Sequence, residues 1–200
     1  MVFQIGGKPS DGGQSMKEAK DGTARPWQVR SERPEDAPLI DALTAASFGP
    51  GRHAKSAWRL REGVAPEPDL GFVAVEDGVL RGSVRFWPVA IGLARALLLG
   101  PLAVQTDQRG RGIGIDLMNR GIAEAKTAGW KAMILIGDAP YYGRVGFAPI
   151  PRGRIRFPGP VDPARILGLA LEDGALDALE GPVHRAQIDD PVCADSAALG

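Results

Sequence analysis

The chain has 200 residues, 44% of them hydrophobic, and its 24 basic residues are balanced by 24 acidic ones. That is enough apolar material for one globular domain, and zero net charge supplies no global field to draw in nucleic acid or an anionic membrane, so any bound anion must be held by local geometry. A single cysteine, Cys193, and two histidines exclude an internal disulfide framework and a clustered zinc site, which suits a reducing cytoplasm, and no run of about twenty apolar residues exists to span a bilayer.

Residues 1–25 are rich in Gly, Ser, Lys and Asp and lack the apolar stretch of a signal peptide. They read as a disordered extension, with Met16 as an alternative start, and residues 188–200 read as a flexible tail. The expected structured unit is 26–187. Residues 27–32 alternate as a first strand. Residues 34–48 open with Pro34, Glu35 and Asp36, as a helix N-terminus should, and carry Leu39, Ile40 and Leu43 on one stripe. A glycine-proline break follows, then a second helix at 54–61. Phe72, Val73 and Val75 lead into the turn Asp77-Gly78, and residues 79–87 lead out of it, which is a hairpin pattern. Glu76 reads as a solvated hairpin residue.

A strand is expected at 96–104 and a helix at 112–127, with Gly114, Leu117, Met118, Gly121, Ile122 and Ala125 on one face. The short, continuous apolar stretch 131–136 suits a strand buried on both sides. Strand, helix and strand then form a βαβ crossover, hence a parallel pair. Short strands at 147–150, 155–157 and 166–171 and a helical turn at 174–179 complete the pattern. The class is α/β or α+β, with antiparallel strands first and one parallel crossover later.

The crossover begins with Arg109-Gly110-Arg111-Gly112-Ile113-Gly114. At such a place the first helical N–H groups have no intrahelical acceptor and the helix dipole is positive, which favours an anion. Glycines at 110, 112 and 114 let a ligand approach the backbone, and Arg109 and Arg111 add charged donors suited to phosphate. A plain βα turn rich in soluble residues is the bland alternative. The dinucleotide fingerprint fails on spacing and position, the P-loop lacks its Gly-Lys-Ser/Thr, and RNA-binding Arg-Gly segments are repeated, whereas this one is single.

The pattern that fits is R-x-x-G-x-G, on Arg109, Gly112 and Gly114, and here the sequence resembles the GNAT superfamily of N-acetyltransferases. GPLAV just upstream resembles that family's central strand, and Tyr142-Gly143-Arg144-Val145-Gly146-Phe147 resembles its later Tyr-x-x-x-Gly-Phe element. The three signals stand in the family's order, and the preceding elements extend the similarity over most of 27–150. The resemblance implies an α+β fold: a mixed, mostly antiparallel sheet flanked by helices, with one parallel crossover and a splayed central strand. It implies acetyl-CoA as cosubstrate and no metal. Pantetheine would lie along Leu102, Ala103 and Val104, and the pyrophosphate on the amides of Arg109, Gly110, Arg111, Gly112, Ile113 and Gly114. Leu99-Gly100-Pro101 is a plausible place for the strand to be disrupted, or merely its end.

The implied chemistry is direct attack of a primary amine, on a small molecule or a protein, upon the thioester. Tyr142 matches the family's tyrosine that donates to the departing sulfur, and Tyr141 reads as packing. No carboxylate stands in 96–104 to act as base. Asp138 is either that base or the cap of the short helix carrying Tyr142, and a water relay is a third route. Cys193, in a polar tail without a neighbouring histidine, is set aside as a nucleophile. His53, Trp58, Phe86 and Trp87 belong either to the acceptor pocket or to core and solvent. The acids of 172–195 could attract a cation or simply solvate the surface. The sequence alone leaves open a homodimer and, as the rival function, a non-catalytic acyl-CoA-binding module.

Overall fold

The computed structural model describes residues 25–51 and 56–186. His53 and Cys193 lie outside the described residues, as do 1–24 and 187–200. Four early elements, β1 (Gln28–Ser31), α1 (Ala37–Phe48), α2 (Ser56–Arg59) and β2 (Phe72–Glu76), are followed by the long strands β3 (Val79–Ile91) and β4 (Ala94–Val104). Next come α3 (Ile113–Thr127), β5 (Ala132–Ile136), α4 (Ala139–Tyr142), β6 (Ala148–Pro149), β7 (Ile155–Arg156), β8 (Ile166–Ala170) and β9 (Gly181–Arg185).

The sheet order is β1-β2-β3-β4-β5-β8-β6, and all neighbours along it run antiparallel except β4 and β5. The fold is therefore α+β, as expected. Asp77 (φ 51°) and Gly78 (φ 75°) form the tight turn between β2 and β3. Strand alternation sets the two faces. Phe86, Leu97 and Met133 point to the face covered by Leu117 and Met118 of α3, whereas Trp87, Leu98 and Ile134 point to the opposite face with Leu60, Phe157 and Val183. Farther along the sheet, Val73 and Leu80 pack with Ile40 of α1. Gly121 lets α3 sit close to the sheet: a Cβ there would lie 2.3 Å from Phe86 Cζ.

Three features depart from the sequence reading. The strand expected at 79–87 runs to Ile91 and turns through Gly92-Leu93 directly into β4, with Ile91 opposite Ala94. Pro88 concealed this second hairpin; it is tolerated because β2 ends its pairing at Val84 and β9 begins only at Val89. The helix expected from residue 34 starts with one 3-10 turn, Pro34–Asp36, before α1. Finally, β9 adds a strand that the polar C-terminal sequence did not suggest, antiparallel to β3 and parallel to β7. No helix among the described residues is long and apolar enough to cross a membrane.

Candidate active site

Strands β4 and β5 pair only at Leu97–Met133 and Leu98–Ile134, although β4 continues to Val104 and β5 to Ile136. Their C-terminal ends separate. The cause is local: between Val84–Leu102 and Phe86–Leu99 the β4 strand carries one more residue than β3, which is a bulge. It falls on Gly100, at φ 108° and joined to Pro101 by a cis peptide. The expected disruption at Leu99-Gly100-Pro101 is thus the point where the strands part.

The gap opens onto the head of α3. Gly112, at φ 103°, is the N-cap, and its carbonyl accepts from Ile115 and Asp116. Among the described residues, no acceptor engages the amides of residues 110–114. A cavity of about 400 Å³ runs past them, bounded by Leu102, Ala103 and Val104 on one side and by Asp138, Tyr141 and Tyr142 on the other. Arg109, Gly110, Gly112, Ile113 and Gly114 also line it. This groove therefore gathers the residues singled out in the sequence, except Arg111.

Arg111 turns away. Its guanidinium binds both carboxylate oxygens of Glu76, at 2.9 and 2.7 Å, hydrogen-bonds Gln108 and lies 5.1 Å from the Trp27 ring. The expectation of a phosphate-directed Arg111 side chain is corrected by this pairing, although its amide stays on the turn. Glu76 is corrected with it. Far from being solvated, it is buried, with Arg81 Nε 3.5 Å away, and the hydrogen bond from Arg111 holds its carboxyl below the ordinary range. Arg25 reaches the same turn: its Nη1 donates to the Arg111 carbonyl at 3.2 Å.

Tyr142 stands between two spaces. It lines the helix-head cavity and a second one of about 480 Å³, bounded by Trp58, Arg61, Leu99, Gly100, Ile136 and Val161, among others. Its ring meets Tyr141 and Phe147 edge-on, at centroid distances of 5.1 and 6.2 Å. Burial, reinforced by the neighbouring Tyr141 and Asp138, pushes its phenol up to about 12, so it is a neutral donor at any physiological pH. Gly137 makes room for it, because a Cβ there would lie 2.2 Å from Tyr142 Cε2. Tyr141 packs against the core, as expected, and its hydroxyl reaches to within 2.3 Å of where a Gly114 Cβ would stand.

Asp138 occupies the N-cap position of α4, where its backbone carbonyl accepts from Tyr141 and Tyr142 at 3.0 and 3.1 Å. Its side chain makes no capping bond. The carboxylate is exposed and lies 3.2 Å from Arg165 Nη2.

A splayed strand pair, a helix head with free amides and a tyrosine facing the gap now stand in one place. A profile of the acetyltransferase (GNAT) family matches residues 37–147, which includes all three. The chain belongs to this family. It is 36% identical over 161 residues to the uncharacterized N-acetyltransferase YhbS of Escherichia coli strain K12, covering 78% of this chain and 94% of YhbS. The crystal structure of Escherichia coli YhbS in complex with CoA superposes with a TM-score of 0.69 at 32% identity, covering 84% of this chain and 94% of that one. A GNAT acetyltransferase of Brucella melitensis, solved with acetyl-CoA, gives 0.61 at 30% identity, covering 82% and 98%.

Two residues that shape these cavities, Gly137 and Arg61, were not singled out in the sequence. Gly137 had a usable signal: a glycine between a buried strand and a helix start. Arg61 had none, being one arginine in a short helical stretch. In the fold it lies against Trp58 and Trp87, 5.6 and 5.1 Å from their rings, and its Nε is buried with no hydrogen-bond partner. Trp58 lines the second cavity and Phe86 belongs to the core, while Trp87 packs in the core and donates its indole N–H to the Val64 carbonyl at 3.0 Å.

Proposed function

We propose that this acetyltransferase moves an acetyl group from acetyl-CoA to a primary amine by direct attack within a ternary complex. The observation that carries the reading is the position of Tyr142, shared by the cavity at the head of α3 and the cavity beyond the bulge. The first cavity suits the carrier. Its unengaged amides at residues 110–114, and the Arg109 side chain, would take the diphosphate, and the exposed edge of Leu102, Ala103 and Val104 would take the pantetheine amides. The relatives solved with CoA and acetyl-CoA support this choice of carrier. The second cavity would hold the amine.

In the reaction the amine nitrogen forms a bond to the thioester carbonyl carbon, and the carbon–sulfur bond breaks. Tyr142 supplies the proton that the departing thiolate accepts. The proton lost by the nitrogen passes through water to Asp138, the one carboxylate among the described residues that lines the helix-head cavity. Thiol release with acetyl-CoA against a panel of amines tests the proposal. Wild-type protein is expected to release thiol in step with acetylated amine, and Asp138→Asn to slow it without weakening acetyl-CoA binding. Acetyl-CoA binding with no amine ever acetylated would instead identify a carrier-binding module without turnover.

A further inference from the structure

We propose that the acceptor amine of this acetyltransferase also carries a carboxylate, and that Arg61 binds it. The inference rests on the second cavity being the acceptor site. Arg61 stands where that cavity meets a smaller one, of about 370 Å³, on the far side of Pro101. Among the described residues, its Nη2 makes one long hydrogen bond, 3.5 Å to the Leu99 carbonyl, and its buried Nε has no hydrogen-bond partner. Burial pushes the guanidinium down to about 9, so it is still charged at neutral pH.

A charge in such a place calls for a counter-charge. None is supplied: among the described residues, no carboxylate comes within ion-pair distance of Arg61. The acids that line the two cavities are engaged elsewhere. Asp41 lies 3.6 Å from Arg85, Glu62 lies 3.3 Å from Arg185, and Asp162 accepts from the Ala164 amide at 2.9 Å. Arg165, the other cation of the acceptor cavity, is paired with Asp138. Among the described residues that line this space, the guanidinium is the cation without a carboxylate partner; the Trp58 and Trp87 rings flank it at 5.6 and 5.1 Å and leave its planar fork to match a carboxylate. Around it the walls are largely apolar, with Trp58, Leu102, Ile136 and Val161. The acceptor class is therefore a small amine with an apolar body and a carboxylate, such as an amino acid or a short peptide-like acid.

The test uses the full chain and matched probes, L-amino acids against their carboxamides, which keep shape and lose charge. With acetyl-CoA, thiol release is expected to favour the acids by roughly 10- to 100-fold in kcat/KM. Arg61→Met is expected to remove that preference by raising KM for the acids alone, with the KM for acetyl-CoA unchanged, and Arg61→Lys to restore part of it. The same probes titrated calorimetrically into the CoA-bound protein read binding without turnover. Arg61-dependent binding of acids with no acetyl transfer would overturn the enzymatic reading and keep Arg61 as a carboxylate-binding residue. Carboxamides performing as well as acids, or Arg61→Met depressing both alike, would overturn it and leave Arg61 a support for the bulge.

Discussion

At the scale of single residues, the proposed chemistry turns on Tyr142 and its neighbours. Replacing Tyr142 by Phe removes the hydroxyl and leaves the ring packed against Tyr141 and Phe147. The expected result is a fall in kcat of about 10²-fold or more, with acetyl-CoA binding preserved, measured by steady-state thiol release and calorimetry. Because the phenol keeps its proton to about pH 12, its acid form persists over the working range. The rate should rise with pH as the amine deprotonates, and any falling limb near pH 9 should belong to the Arg61 guanidinium and persist in Tyr142→Phe. A falling limb near pH 9 that vanishes in Tyr142→Phe would contradict this. Tyr142 was legible in the sequence because its spacing to Gly146 and Phe147 is a local signal. Arg61 was not, because its lack of a carboxylate partner among the described residues is a three-dimensional relation that no spacing records.

At the scale of elements, the crossover helix and the β2–β3 hairpin before it were legible from periodicity and turn residues. The β3–β4 hairpin was not, since Pro88 speaks against a strand unless its neighbours on that side are known to be missing. Glu76 was misread for a related reason: alternation along β2 locates a face but not the Arg111 that comes to meet it from the α3 turn. The close seating of α3 yields a stability prediction. Gly121→Ala drives a methyl into the Phe86 ring and should cost about 1–3 kcal/mol, lowering Tm by several degrees in a thermal melt. An unchanged Tm would mean that the helix stands farther from the sheet than described.

For the whole molecule, pH dependence of stability follows from two carboxyl groups that tie segments together. Hydrogen bonds from Arg111 hold Glu76 below its ordinary range, and hydrogen bonds from Arg30, at 2.6 and 2.8 Å, do the same for Asp36. A lowered folded-state value stabilises the protein above the unfolded value, near pH 4, and that contribution is lost as the pH falls through the folded value. Urea midpoints should be level from about pH 5 to 8 and decline below about pH 4, less steeply in Glu76→Gln and Asp36→Asn. The Glu76 pairing with Arg111 braces the turn on which the central claim depends, that the free amides at the head of α3 would hold the diphosphate of acetyl-CoA and so bring its sulfur to Tyr142. Calorimetric titration of acetyl-CoA into wild-type protein and into Gly114→Val tests it most directly, because Gly114 has an ordinary helical backbone and a side chain there pushes aside the Tyr141 hydroxyl, which would lie 2.3 Å from its Cβ, and fills that side of the groove. The account predicts a folded variant whose affinity is weaker by roughly tenfold or more. Undiminished affinity in a folded Gly114→Val protein would contradict it.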